Sequence, residues 1–186
     1  MTDELDRLRV GPSGQESPQG FVVRFEAHND EPTAVLDRMR DLLVRTIPGM
    51  ATGDRQAAVA AVPDWFRDAC RPEWTPEELQ EEMRRRRSLS LEDRAVVERT
   101  ARWSLRNWLA WLDPEQRSWW WWDGRVETDG RLVVEVLVEG HPFASGALLW
   151  MLRAVGCTEI TEDGVPVDRP IEQPGRWARL RRRLGL

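Results

Sequence analysis

The clearest periodicity in the chain is the two-residue alternation of Phe21-Val22-Val23-Arg24-Phe25-Glu26-Ala27-His28. It sets Phe21, Val23, Phe25 and Ala27 on one face and Val22, Arg24, Glu26 and His28 on the other, the pattern of a half-buried strand. Asp30-Glu31-Pro32 supplies acids and a first-turn proline for a helix start. Val35, Met39, Leu42, Leu43 and Thr46 then share one helical stripe, which Pro48-Gly49 is expected to end.

From about residue 50 to 113 the period is helical and interrupted by prolines. Short helices are predicted over 54–61 and 64–70. Thr75-Pro76-Glu77-Glu78 opens a third, in which Glu81 and Glu82 precede Arg85 and Arg86 by four residues, the favourable orientation for such pairs. Ser90-Leu91-Glu92-Asp93 is expected to begin the longest helix, running to Leu112. At 100° per residue Val97, Ala101, Leu105, Trp108 and Leu112 fall in one apolar arc, with Val96, Trp103, Ala110 and Trp111 on the far side. A helix with two apolar arcs is covered on two sides, so it is central or touches a partner.

The last third returns to period two. Residues 118–127 read as a strand, Asp129-Gly130 as a tight turn, and 131–139 as the returning strand with Leu132, Val134, Val136 and Val138 on one face. Residues 145–155 read as a helix with Gly156 at its C-cap position, and 157–162 as a short final strand.

The element order predicts an α+β fold: a two-layer sandwich of ferredoxin-like βαββαβ order, with a helical insertion at about 50–113 between the first helix and the second strand. The Gly/Pro/Ser run at 10–20 makes residues 1–20 a flexible arm, 21–163 a single domain, and 164–186 a tail with a short arginine-rich helix.

Composition narrows the chemistry. The chain has 186 residues, a formal charge of −5 and 11 tryptophans, and its 27 basic residues are all arginine. The absence of lysine excludes a P-loop lysine, a Schiff base and a kinase-type ATP lysine, and the absence of tyrosine excludes a phenolic acid or base. Scarcity of isoleucine and asparagine alongside these gaps points to the codon bias of a GC-rich bacterial genome. The first residues are acidic and lack an apolar signal core, and no stretch reaches the roughly 18 apolar residues of a membrane span, so a cytoplasmic protein without a membrane association is expected.

Trp119-Trp120-Trp121-Trp122 is the most distinctive motif. On a strand, period two sends one pair to the core and the other to the second sheet face, where the helical block, with Trp103 and Trp111, is expected to cover it. Each indole buries roughly 150–250 Å², about 4–6 kcal/mol gross at 25 cal/mol per Å². His28 and His141 are the only imidazoles, each more simply a turn or strand-end residue than a catalyst. Cys70 and Cys157 fit two buried thiols, and no spacing marks a metal, cofactor or catalytic site.

The expectation is therefore a non-catalytic cytosolic interaction protein, an immunity- or antitoxin-like or regulatory partner of another protein, or one that self-associates. Tryptophan and arginine are the residues enriched at binding hot spots. The alternative is a small-molecule enzyme or ligand sensor with a tryptophan-lined pocket between sheet and helical insertion, where Trp119–Trp122, Trp103 and Trp111 would stack on the ligand and Glu139 or His141 would supply polar groups. A nucleic-acid role through Arg176, Arg179, Arg181, Arg182 and Arg183 ranks last, since the remaining chain is acidic.

Overall fold

The computed structural model describes residues 2–11 and 18–167, so the arginine-rich tail with Arg176, Arg179, Arg181, Arg182 and Arg183 lies outside the described residues. Among the described residues the fold is a mixture of eight helices with one five-stranded antiparallel sheet. The strands are β1 (Phe21–His28), β2 (Trp120–Val126), β3 (Leu132–Val138), β4 (Thr158–Glu162) and the two-residue β5 (Val165–Pro166). Their spatial order is β2-β3-β1-β4-β5.

Register explains which residues face inward. Val23 sits opposite Val136, which sits opposite Trp121. Phe25, Val134 and Gly124 form the next row, and Ala27, Leu132 and Val126 the next. This face packs on α2 (Pro32–Ala51) and α8 (Gly146–Ala154), whose Met39, Leu42, Leu43, Leu148, Met151 and Leu152 are all fully buried. The α2 helix runs on to Ala51, past the Pro48-Gly49 expected to stop it. Gly49 has a packing role there: a Cβ on it would lie 2.7 Å from the backbone nitrogen of Ala58 in α3 (Arg55–Ala61).

The outer sheet face carries the other set. Arg125 pairs with Asp123, Glu127 and Glu135 at 3.0–3.1 Å, and Arg24 pairs with Glu26 at 2.9 Å. Arg131 also pairs with Glu26. The aliphatic stems of such side chains cover apolar surface while their heads stay wet, and Val133 beneath them is fully buried.

Three further sequence expectations change. Residues 1–20 were expected as a flexible arm, but Thr2–Val10 form helix α1, whose Leu8 is 1% exposed. The helical block was expected over the outer tryptophans, yet it packs on the helical side of the sheet. There Phe66 of α4 (Asp64–Ala69) packs against Trp108, ring centroids 4.5 Å apart and planes inclined at 57°, and the Trp108 indole N–H donates to the Ala147 carbonyl of α8 at 3.1 Å. The long helix over 90–112 is two helices, α6 (Leu91–Thr100) and α7 (Leu105–Ala110). Between them Arg102 turns back to the carbonyls that end α4, and the Ser104 hydroxyl caps α7 by accepting from the Asn107 N–H. A serine cap and a set of orphan carbonyls together outweigh continued periodicity.

Candidate functional site

Helix α5 (Pro76–Ser88) is built almost wholly from local effects. Thr75 caps it by accepting from the Glu78 N–H while Glu78 accepts from the Thr75 N–H, a complete capping box, and Pro76 occupies the first turn. Glu77 and Glu78 sit at its positive end and Arg85, Arg86 and Arg87 at its negative end. Glu82 accepts from both Arg85 and Arg86 at 2.6–2.8 Å, and these bonds hold its carboxyl down to about 2. A helix fixed this way does not need a core, and none of its residues is buried.

Together α5 and α6 form an arm over residues 76–100, leaving the body at Glu73-Trp74 and returning at Ala101. Its root is clamped. The Arg71 N–H donates to the Trp103 carbonyl at 3.0 Å, Arg71 and Ser104 form a parallel bridge, and the Arg106 N–H donates to Glu73 at 2.9 Å. Leu79 and Met83 share one stripe of α5 and are about half exposed, while Leu91 at the start of α6 is 82% exposed. With Val96 they make up four of the eight exposed large apolar side chains among the described residues. Gln80, Arg84 and Arg87 border a shallow depression of about 250 Å³ beside Met83.

At the same root lies a cleft of about 910 Å³, between α3, the end of α4, the 71–73 segment and α7. Its walls carry five arginines (55, 67, 71, 102 and 106) against Asp68 and Glu73. Four are already engaged: Arg55 with Asp113 at 2.8 Å, Arg67 with the Val59 carbonyl, Arg102 with the α4 terminus, and Arg71 with the Pro72 carbonyl and the Trp74 ring at 3.5 Å. The Arg106 side chain is exposed and has no partner among the described residues.

Cys70 reaches this cleft as an unactivated thiol, because burial pushes it up against the pull of the Trp150 indole and the Arg102 charge. Burial alone pushes Cys157 up to about 12. No group of three or more His, Cys, Asp or Glu side chains among the described residues could hold a metal ion. No helix among them is long and apolar enough to cross a membrane.

The tryptophan motif is dispersed rather than gathered. A one-residue bulge between Trp121 and Asp123 breaks strict alternation. Trp119 and Trp121 are in the core, Trp120 is half-buried opposite Leu137, and Trp122 lies under the Arg7 guanidinium at 4.9 Å. Trp103 packs over Gly146, where a Cβ would approach its ring to 2.9 Å, and Trp111 is half-buried against the core. None of these tryptophans lines the large cleft. Trp120 and Glu139 do meet at a smaller cavity of about 440 Å³ beside Glu4 and Arg117. His141 is exposed and stands edge-on to Phe21 and Phe143.

Sequence reasoning missed the cleft because its lining comes from 50–73 and 102–110, segments joined only by tertiary packing. The arm left a partial signal in the Thr75 helix start and the Glu–Arg pairs, which mark a helix but not its exposure.

No family model, no curated protein and no solved structure matches this chain.

Proposed function

We propose that the chain is a non-catalytic interaction protein that presents its α5–α6 arm to a protein partner. The single observation that carries this is a 13-residue helix with no buried residue, holding Leu79 and Met83 on one exposed stripe. Exposed apolar side chains gathered on one element, rather than scattered singly, mark an interaction surface. An amphipathic helix offering i and i+4 anchors is the form taken by helix-in-groove recognition. Arg84 and Arg87 beside Met83 select a groove edged with carboxylates.

The body then serves as a rigid mount. The order β4-β1-β3-β2 with antiparallel neighbours, and α2 and α8 both packed on the inner face, support a ferredoxin-like sandwich in which α3–α7 are the insertion and β5 an added edge.

A photo-crosslinking residue at position 83, introduced in the native host, tests the reading. One dominant adduct is expected at position 83 that disappears with Leu79→Glu, whereas the same probe at Arg45 on α2 gives none. Equal labelling at positions 83 and 45, or an adduct indifferent to Leu79→Glu, overturns it.

A further inference from the structure

We infer that the cleft at the arm's root is a binding site for a small amphipathic organic anion, an apolar body carrying one carboxylate or sulfonate head. Three observations converge on this chemistry, and none depends on the arm's role.

The first is size and lining. At about 910 Å³ the cleft falls within the range of small-molecule sites, roughly 300–1,000 Å³, and its apolar lining includes Met50, Val59, Leu105 and Leu109. The second is sign. Five arginines face two carboxylates there, although the whole chain carries a formal charge of −5. The local charge thus opposes the global one, as a site selecting anions requires.

The third is the division of labour among the arginines. Arg55, Arg67 and Arg102 spend donors on Asp113 and on backbone carbonyls, which fixes the walls. Arg106 alone leaves its whole guanidinium uncommitted among the described residues, while its backbone N–H is anchored to Glu73. It stands one residue from Leu105 and three from Leu109, so the head group is taken at Arg106 as the tail lies along the apolar side of α7. A planar guanidinium binds a carboxylate in bidentate fashion, which orients the ligand as well as holding it.

Fluorescence titration of the full chain with 8-anilinonaphthalene-1-sulfonate, competed by decanoate, tests the inference. Saturable one-to-one binding is expected, with displacement by decanoate but not by decanol or acetate. Arg106→Ala should weaken both anions by roughly 10-fold or more, the effect of one charged hydrogen-bonding partner. Val59→Asp, which places a charge on the exposed apolar wall, should weaken decanoate similarly. Arg45→Ala and Leu79→Glu should bind like the parent chain, so the outcome is independent of the arm. No saturable binding, competition by decanol equal to that by decanoate, or unchanged affinity in Arg106→Ala overturns the inference.

Discussion

The Glu4 carboxylate accepts the backbone N–H of Trp121 at 2.6 Å, joining positions 117 residues apart. Because β2 is an edge strand, that N–H would otherwise point out of the sheet. Arg7 completes the cap by donating from Nε to the Trp121 carbonyl at 3.3 Å. Arg117 holds Glu4 in place through two bonds of 2.5 and 2.9 Å, with both side chains 4% exposed. The first helix thus replaces a missing strand with two side chains.

Removing one partner of this buried pair strands the other. Glu4→Ala is expected to lower unfolding free energy by about 3–5 kcal/mol, since Arg117 stays charged and buried and the Trp121 N–H loses its acceptor. The double variant Glu4→Leu, Arg117→Met should recover more than half of that loss. Urea denaturation of the three chains checks both statements.

Gly124 stands beside the bulge, opposite Val134. A Cβ there would collide with the Trp121 ring and lie 2.7 Å from Leu36 Cδ1. Gly124→Ala should therefore cost about 1–3 kcal/mol through overpacking. Its carbonyl, which accepts from Arg40 at 2.6 Å, allows no easy retreat of the strand. The urea midpoint should fall without a change in slope.

The carboxyl of Glu82 is held at about 2, well below its ordinary value, first by Arg85 and then by Arg86. A depressed folded-state value means that its stabilisation of α5 is complete above the unfolded value near 4.3 and fades as pH falls toward 2. Helical circular dichroism of the parent chain should decline over that window more than that of Glu82→Gln. The difference is small, since helix pairs of this kind contribute about 0.3–0.5 kcal/mol each. Identical acid profiles for the two chains would count against the pairing.

Cys157 is pushed up to about 12 by burial. At pH 8 its thiolate population is about a thousandfold below that of an ordinary thiol. Reaction with a disulfide reagent should be slow for Cys157 in the folded chain and rapid in 6 M guanidinium. Fast labelling of the native protein would contradict the packing of the α8–β4 corner.

Local chemistry made much of this protein readable in one dimension. Strand β1, the Asp129-Gly130 hairpin, the Gly156 cap at φ 86° and the Thr75 capping box all depend on side chains within a few residues of each other. Periodicity placed Val23, Phe25, Ala27, Leu132, Val134 and Val136 in the core for the same reason.

Readings failed where a distant group supplied the decisive partner. The break after Thr100 depends on Arg102 reaching the α4 carbonyls, and the ordering of α1 depends on the Trp121 N–H, which donates to Glu4. No periodicity within 1–20 or 90–112 contains that information. The same holds for the tryptophans: composition revealed their number, but the bulge in β2 and the side chosen by the helical block decided which became core. The sequence by itself determined strands β1 to β4, most of the helices and the faces of β1 and β3, because those follow from neighbours along the chain. Only the tertiary structure decided that the arm stands clear of the core and that five arginines close around one apolar cleft, because burial and electrostatic enclosure are properties of segments brought together in space.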